Sequence, residues 1–368
     1  MIWPKPTTSA GRIQALVGLL LFLLATSLFA GLDLLTRSKN LAAWLDRQEE
    51  ESCRQTRKTL IHMGYWLSID ELWIYGELPL LDFSKGGVYL LGASDVQCST
   101  KLWELPPDLQ ALIHNFGVSA SNPRGELVEL RYLIEHCGIL RAGGGKTLVV
   151  LGADYHTASY PSQSLSPAFV DNWERRGLFA CDAQDGIRAV PVNAISKCLD
   201  FEVSRAGAGL ARFRNLFVHQ LVRWRHHGIE PPRMHDPAFY IVKCRAEMEP
   251  DWEKKIEEYV RTFGEMLDYL VAQRVQVRVI LMPQGSWYDN LPYEQEFKKR
   301  INTLCAGKQI PVTDWSTMLA DEDFSDSIHP NVYGIDKLHP AFLKIALSFL
   351  RSTHALSPTP SSLDQTGK

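Results

Sequence analysis

Apolar runs of strand length, alternating with helical stretches, predict an α/β fold: a parallel sheet covered by helices on both faces. Three observations carry this. Five such runs recur between residues 86 and 316. Helix patterns separate them, among them a long amphipathic one from Asp251 to about Gln273. The first two runs end in small residues, where a strand gives way to a loop.

In chain order the first feature precedes the sheet. Ala15–Leu32 reads ALVGLLLFLLATSLFAGL, without a charge, between Lys5 and Arg12 on one side and Asp33, Arg37 and Lys39 on the other. A run of this length can cross a hydrocarbon core of about 30 Å, at the short end of the usual range. Being apolar on all sides, it reads as a transmembrane anchor within an N-terminal segment 1–40. A cleaved signal, with Ala25-Thr26-Ser27 as its processing site, is the alternative, and the length of the run counts against it. Basic residues near the two ends are too balanced to fix an orientation. Residues 41–85 hold a charged helical run, Leu45 to Arg57, and then an aromatic-rich stretch, and read as a stalk.

The domain proper is expected over 86–352. GVYLLGAS (Gly87–Ser94) is the first strand, a helix pattern follows at 102–112, and ALIHNFGVS (Ala111–Ser119) is the second strand. Asn122-Pro123 opens a helix to about Cys137, with Pro in the first turn, where its missing N–H costs nothing. Lys146–Asp154, Val275–Pro283 and Gln309–Ser316 are the remaining strands, and a last helix is expected after Pro340. Between the third and fourth strands, residues 155–250 break the alternation and read as an insertion or lid over the site. Residues 353–368 read as a flexible tail.

Composition narrows the function. The chain has 45% apolar, 22% charged and 10% aromatic residues, an ordinary globular balance that excludes a disordered or collagen-like chain. A net charge of -3 lacks the basic footprint of a nucleic-acid-binding domain, so no nucleic-acid partner is expected. The mean hydropathy of -0.13 conceals the apolar run at 15–32. The seven cysteines show no CxxC or other metal-ligand spacing, and no carboxylate or Cys completes a ligand pattern with His226, His227 and His235. Neither a metal nor a cofactor is expected. Gly143-Gly144-Gly145-Lys146 lacks P-loop spacing and reads as a turn. The basic run Arg212, Arg214, Arg223 and Arg225, with aromatic neighbours, reads as a solvated helix face. Contact with an anionic polymer or lipid head groups is its alternative.

Open α/β sheets bind ligands at the C-terminal ends of their strands. Two such ends stand out. Ser94, in Gly92-Ala93-Ser94-Asp95, follows the first strand and opens a helix, so its hydroxyl is presented at the sheet edge and its N–H could meet an oxyanion. An ordinary helix N-cap is the plainer reading. Asp326-Ser327-Ile328-His329-Pro330-Asn331 follows the fifth strand. An Asp three residues ahead of a His can turn its carboxylate onto the ring and orient it, as a catalytic triad requires.

Together these residues resemble the SGNH (GDSL-like) hydrolases, over roughly residues 86–352. The resemblance implies a flavodoxin-like three-layer sandwich and a serine acyltransferase or esterase. In it Ser94 would be the nucleophile, His329 the base and Asp326 the group that orients the base. The family's second block falls on Asn115–Ala120, with Ala120 where Gly is usual; its N–H would be an oxyanion donor and Gly117 a substitute. The third block has Gly152-Ala153-Asp154 where the family has an Asn donor. An ionised Asp154 cannot donate, so it is left as a structural group or one that binds an incoming hydroxyl or amine.

Pro283-Gln284-Gly285-Ser286-Trp287-Tyr288-Asp289 further resembles the Pro…Trp-x-Asp segment of the DltD family, with a gap one residue shorter. Trp287 is thereby a candidate for substrate binding. That family and the alginate-acetylation relatives are membrane-anchored with an extracytoplasmic domain. The resemblance therefore implies a cell-membrane protein with its domain outside the cytoplasm. An acyl donor and a glycan or lipid acceptor of the cell envelope, with a multispanning acyl-donor membrane protein, are the partners it implies. A catalytically silent SGNH-like component of a polysaccharide pathway is the second reading, motivated by the altered second and third blocks.

Overall fold

Successive side chains of a strand point to opposite faces, so a strand buried at every position is covered on both. Gly87–Leu91 (β1) and Thr147–Ala153 (β3) are such strands. They sit at the middle of a five-stranded sheet with Ile113–Asn115 (β2), Gln276–Leu281 (β6) and Val312–Asp314 (β7), in the order β2-β1-β3-β6-β7. All pairings are parallel. Counting only these strands the order is 2-1-3-4-5, that of a flavodoxin-like sandwich. Phe179–Asp182 (β4) and Gly186–Ala189 (β5) form a separate antiparallel pair.

A computed structural model of the protein describes residues 81–159, 164–174, 179–182, 186–189, 237–289 and 291–353, with scattered positions in 16–55 and 216–228. The α-helices with described bounds are α1 (Ser94–Gln97), α2 (Pro107–Gln110), α3 (Pro123–Tyr132), α4 (Pro167–Glu174), α5 (Pro237–Met248), α6 (Trp252–Ala272), α7 (Pro292–Gly307) and α8 (Val332–Thr353), and some of the scattered positions in 16–55 and 216–228 are helical as well. Asn122 caps α3 by accepting the Gly125 N–H at 2.9 Å, with Pro123 in the first turn. The helix continues as a π turn over Leu133–Cys137 and ends where Gly138 takes φ 75°. On α6, Ile256, Tyr259, Phe263, Met266, Leu267 and Leu270 are buried as the periodicity predicts, and the helix packs on α3 and β6.

Several expectations are corrected. The stretch 102–112 is no continuous helix: a 3-10 turn at Leu102–Glu104 and the single turn α2 flank Pro106-Pro107. Pro106 has no N–H to give and disfavours helix before it. The last helix starts at Val332, eight residues before Pro340, because Asn331 caps it by accepting the N–H groups of Tyr333 (2.9 Å) and Gly334 (3.3 Å). Pro340 is carried inside α8. Within the region 155–250, which breaks the strand–helix alternation, lie α4, β4, β5 and α5.

The chain forms two units, residues 1–59 with 191–228, and residues 60–190 with 229–368. No helix among the described residues is long and apolar enough to cross a membrane. The predicted anchor Ala15–Leu32 lies partly outside the described residues; positions 16–24 are helical with exposed side chains. Most of the predicted stalk and tail also lies outside them.

Candidate active site

The register aligns the C-terminal ends of the strands, pairing Leu91 with Leu151, Ala153 with Leu281 and Leu281 with Asp314. Every residue singled out for chemistry follows one of these ends. Ser94 follows β1, which has β2 on one side and β3 on the other, so it stands where the strand order reverses. Ligand crevices form at such a switch point.

Glycines set Ser94 in place. Gly92 takes φ 153°, and a Cβ there would lie 2.3 Å from Val96 Cγ2. A Cβ on Gly152 of β3 would lie 2.1 Å from the same methyl, and one on Gly117 would lie 2.5 Å from the Gln97 amide nitrogen. Only bare backbone at these strand ends lets α1 descend onto the sheet edge, with Val96 nested between β1 and β3. Ser94 is the first residue of α1 and is 8% exposed.

The loop after β7 closes on itself. Phe324 bridges Pro330, the Ser325 N–H donates to the His329 carbonyl (2.9 Å), and the Asn331 N–H donates to the Asp323 carbonyl (2.8 Å). Within it Asp326 Oδ1 accepts the N–H groups of Ile328 (2.9 Å) and His329 (2.8 Å). Its Oδ2 lies 2.7 Å from His329 Nδ1, and His329 Nε2 lies 2.8 Å from Ser94 Oγ. Burial pushes the Asp326 carboxyl up, but the His329 hydrogen bond and charge and the two backbone N–H groups outweigh it, and its pKa falls below the usual Asp value. An ionised Asp326 fixes the proton on Nδ1, so that Nε2 is the acceptor facing the serine hydroxyl.

The four residues expected to meet the reacting group divide. Ala120 takes the left-handed conformation, φ 55°, a backbone shape that favours glycine. Gly117 has spent its N–H on Asn115 Oδ1 (2.8 Å), which corrects its role as an oxyanion donor. Asp154 is turned inward: Oδ1 accepts the His156 N–H (2.9 Å) and Oδ2 that of Thr157 (3.2 Å), opening the 3-10 turn His156–Ser159. Trp287 is 1% exposed, its indole N–H donates to the Ser327 carbonyl (3.0 Å), and its ring stands edge-on to Phe324. It is a brace for the His329 loop and not a surface for substrate. A second brace lies beside it, with Ser286 N and Oγ donating to the Asp321 carboxylate at 2.8 and 2.6 Å.

One feature of the interior escaped the sequence. Asp95, Glu126 and Glu129 are buried, and both oxygens of Glu129 and Oε2 of Glu126 have no hydrogen-bond partner. Burial, and then the neighbouring Asp154 charge, hold Asp95 well above the usual carboxylate range. Burial with Asp154 raises Glu126 to about 8, and burial with Glu126 raises Glu129 well above its usual value. Among the described residues no three His, Cys, Asp or Glu side chains are arranged to hold a metal. The signal was present in the apolar neighbours Leu127, Val128 and Leu130, which place Glu126 and Glu129 on a helix buried nearly all round.

No known family model matches this chain, and no curated protein matches it. Among solved structures it is similar to a putative acylhydrolase from Bacteroides fragilis NCTC 9343. The identity is 12% and the TM-score 0.37, over 78% of this chain and 99% of that one.

Proposed function

We propose that the protein is a serine acyltransferase or esterase of the SGNH type. The single observation that carries this is the unbroken run from Asp326 Oδ2 through His329 to Ser94 Oγ, with links of 2.7 and 2.8 Å. In the first half-reaction Ser94 Oγ attacks an acyl carbonyl as His329 Nε2 takes its proton. The carbonyl π electrons move to oxygen, and the N–H groups of Ser94 and Ala120 are the donors proposed for that oxyanion. Collapse expels the alcohol, which receives the proton from His329, and leaves an acyl ester on Ser94. In the second half-reaction an incoming hydroxyl loses its proton to His329 and takes the acyl group. Water gives hydrolysis, a glycan or lipid hydroxyl gives transfer.

The substrate class proposed is an acyl ester of a cell-envelope polysaccharide or lipid, with the domain held outside the cytoplasmic membrane by the 15–32 segment. A multispanning membrane protein would supply the acyl donor. The support is the uncharged run itself and the resemblance of Pro283–Asp289 to the DltD segment. A separation of 2.8 Å between Ser94 and His329 favours catalysis over the silent reading, which would need the two groups out of reach.

The test is mass spectrometry of the full chain after incubation with a fluorophosphonate or a small acetyl ester. An adduct on the peptide bearing Ser94, absent in Ser94→Ala together with esterase activity, is the expected result. No adduct, or undiminished activity in Ser94→Ala, overturns the reading.

A further inference from the structure

Positions 216, 217, 220, 221 and 223–225 are helical and belong to the unit of residues 1–59 and 191–228. Phe217, Leu221 and Trp224 follow one another at steps of four and three residues, which places them on one face of that helix. All three face water: Phe217 is 63% exposed, Leu221 45% and Trp224 76%. Scattered exposed apolar residues are ordinary, but an aligned Phe, Leu and Trp make a contiguous patch that marks a binding surface.

Charge indicates what binds it. From Arg205 to Ile229 the chain carries Arg205, Arg212, Arg214, Arg223 and Arg225 and no acidic residue. Arg223 anchors the helix within its unit by donating to Gln55 Oε1 and to Gln220 Oε1. Arg225 and His227 are exposed. The same unit contains the uncharged 15–32 run, whose described positions 16–24 also turn their side chains to solvent. A basic helix with a Trp-containing apolar face is the composition of a helix that lies in a membrane interface.

We infer that the face formed by Phe217, Leu221 and Trp224 docks on an anionic phospholipid surface, with the apolar side chains at the acyl boundary and Arg225 among the head groups. This does not depend on the chemistry proposed at Ser94. A second copy of the chain or another protein on the same face are the alternatives the experiment must separate.

The full chain, labelled with 5-fluorotryptophan, is reconstituted into vesicles of phosphatidylcholine and phosphatidylglycerol. The Trp224 resonance is identified by its disappearance in Trp224→Phe, an exposed substitution that leaves the fold intact by circular dichroism. A doxyl group near the top of the lipid chains is expected to broaden the resonance, while a water-soluble gadolinium chelate leaves it sharp. In vesicles of phosphatidylcholine alone the lipid broadening is expected to weaken. Broadening by the chelate and not by the lipid probe overturns the inference. So does a resonance shielded from both probes, which would mean burial in protein, and so does an effect indifferent to lipid charge. Esterase activity of Trp224→Phe, measured in parallel, reports on the Ser94 reading separately.

Discussion

His329 Nε2 lies 2.8 Å from Ser94 Oγ across 235 positions of sequence, Ser94 following the interior strand β1 and His329 the edge strand β7. The aligned strand ends bring the two together, and Asp326 grips the ring from the far side. Asp326→Asn replaces the acceptor for Nδ1–H with an amide whose NH2 can face the ring and favour the other tautomer. Its kcat on a small acetyl ester is expected to fall by on the order of 10³–10⁴-fold with KM little changed. A fall of less than about tenfold would remove Asp326 from the mechanism. Because the folded-state pKa of Asp326 is depressed, its contribution to the loop is present above the ordinary Asp pKa, and is lost as pH falls through the lowered value. Activity should therefore survive mild acid as far as Asp326 is concerned.

The buried carboxyls act in the opposite sense. Glu126 is raised to about 8 in the fold, so folding takes up a proton wherever the unfolded chain would have released it. Stability from this group is fully present below the usual Glu pKa and is lost as pH rises toward about 8. Glu126→Gln keeps the shape and removes the titration. Urea unfolding between pH 5 and 9 should show the variant gaining on the native protein by a few kcal/mol, on the order of 1.4 kcal/mol per pH unit. Parallel curves would mean that Glu126 is ionised or solvated in the fold.

The sheet was legible because its signal is local: uniform burial of β1 and β3 requires the apolar runs that the sequence displays, and Asn122-Pro123 marks its helix by chemistry alone. Ser94 and Asp326-x-x-His329 were legible because a strand end and a short loop motif need no knowledge of the rest. What escaped was relational. Val96 is an unremarkable residue until Gly92 and Gly152 are seen to leave room for it. Asp154 stayed open between a structural and a binding role, because nothing in sequence tells that the N–H groups of His156 and Thr157 donate to its oxygens. Trp287 read as a substrate contact for the same reason, its partner Ser327 lying 40 positions away. Pro340 misled because a proline commonly opens a helix, whereas here Asn331 caps the helix start and Pro340 falls inside it.

Trp287 carries its own test. Trp287→Phe keeps most of the packing against Phe324 but leaves the buried Ser327 carbonyl without its donor, a loss of about 1–3 kcal/mol. Since Ser327 lies between Asp326 and His329, kcat should fall by roughly 10- to 100-fold, the scale of an ångström of misplacement. KM should stay near that of the native enzyme. A variant that changes KM alone would return Trp287 to the substrate surface.

Ala120 holds a left-handed φ of 55°, which costs a residue with a Cβ on the order of 1 kcal/mol. Ala120→Gly removes that strain and gives part of the gain back in unfolded-chain entropy, so a stabilisation of about 0.5 kcal/mol is expected, read as a small rise in the urea midpoint. If Ala120 N–H is an oxyanion donor, kcat stays within about twofold, because the amide is unchanged. Destabilisation would mean that the methyl group packs where the loop needs it.

The seating of α1 offers the sharpest test, because both sides of one contact can be changed. Gly152→Ala would place a Cβ 2.1 Å from Val96 Cγ2, and α1 must lift or β3 must shift to receive it. Overpacking of this kind costs about 1–3 kcal/mol, and lifting α1 moves Ser94 away from His329. Val96→Ala on its own leaves a small cavity and costs on the order of 2 kcal/mol. In the double variant the missing Val96 methyls make room for the new Cβ. It should be more stable than the sum of the single changes predicts by roughly 1–2 kcal/mol, within the usual range for side chains in contact. Esterase activity should recover in step, since the gap that Gly152 leaves for Val96 is what brings Ser94 down to the imidazole. Strict additivity in stability, or a double variant as inactive as Gly152→Ala, would show that some other contact seats the helix.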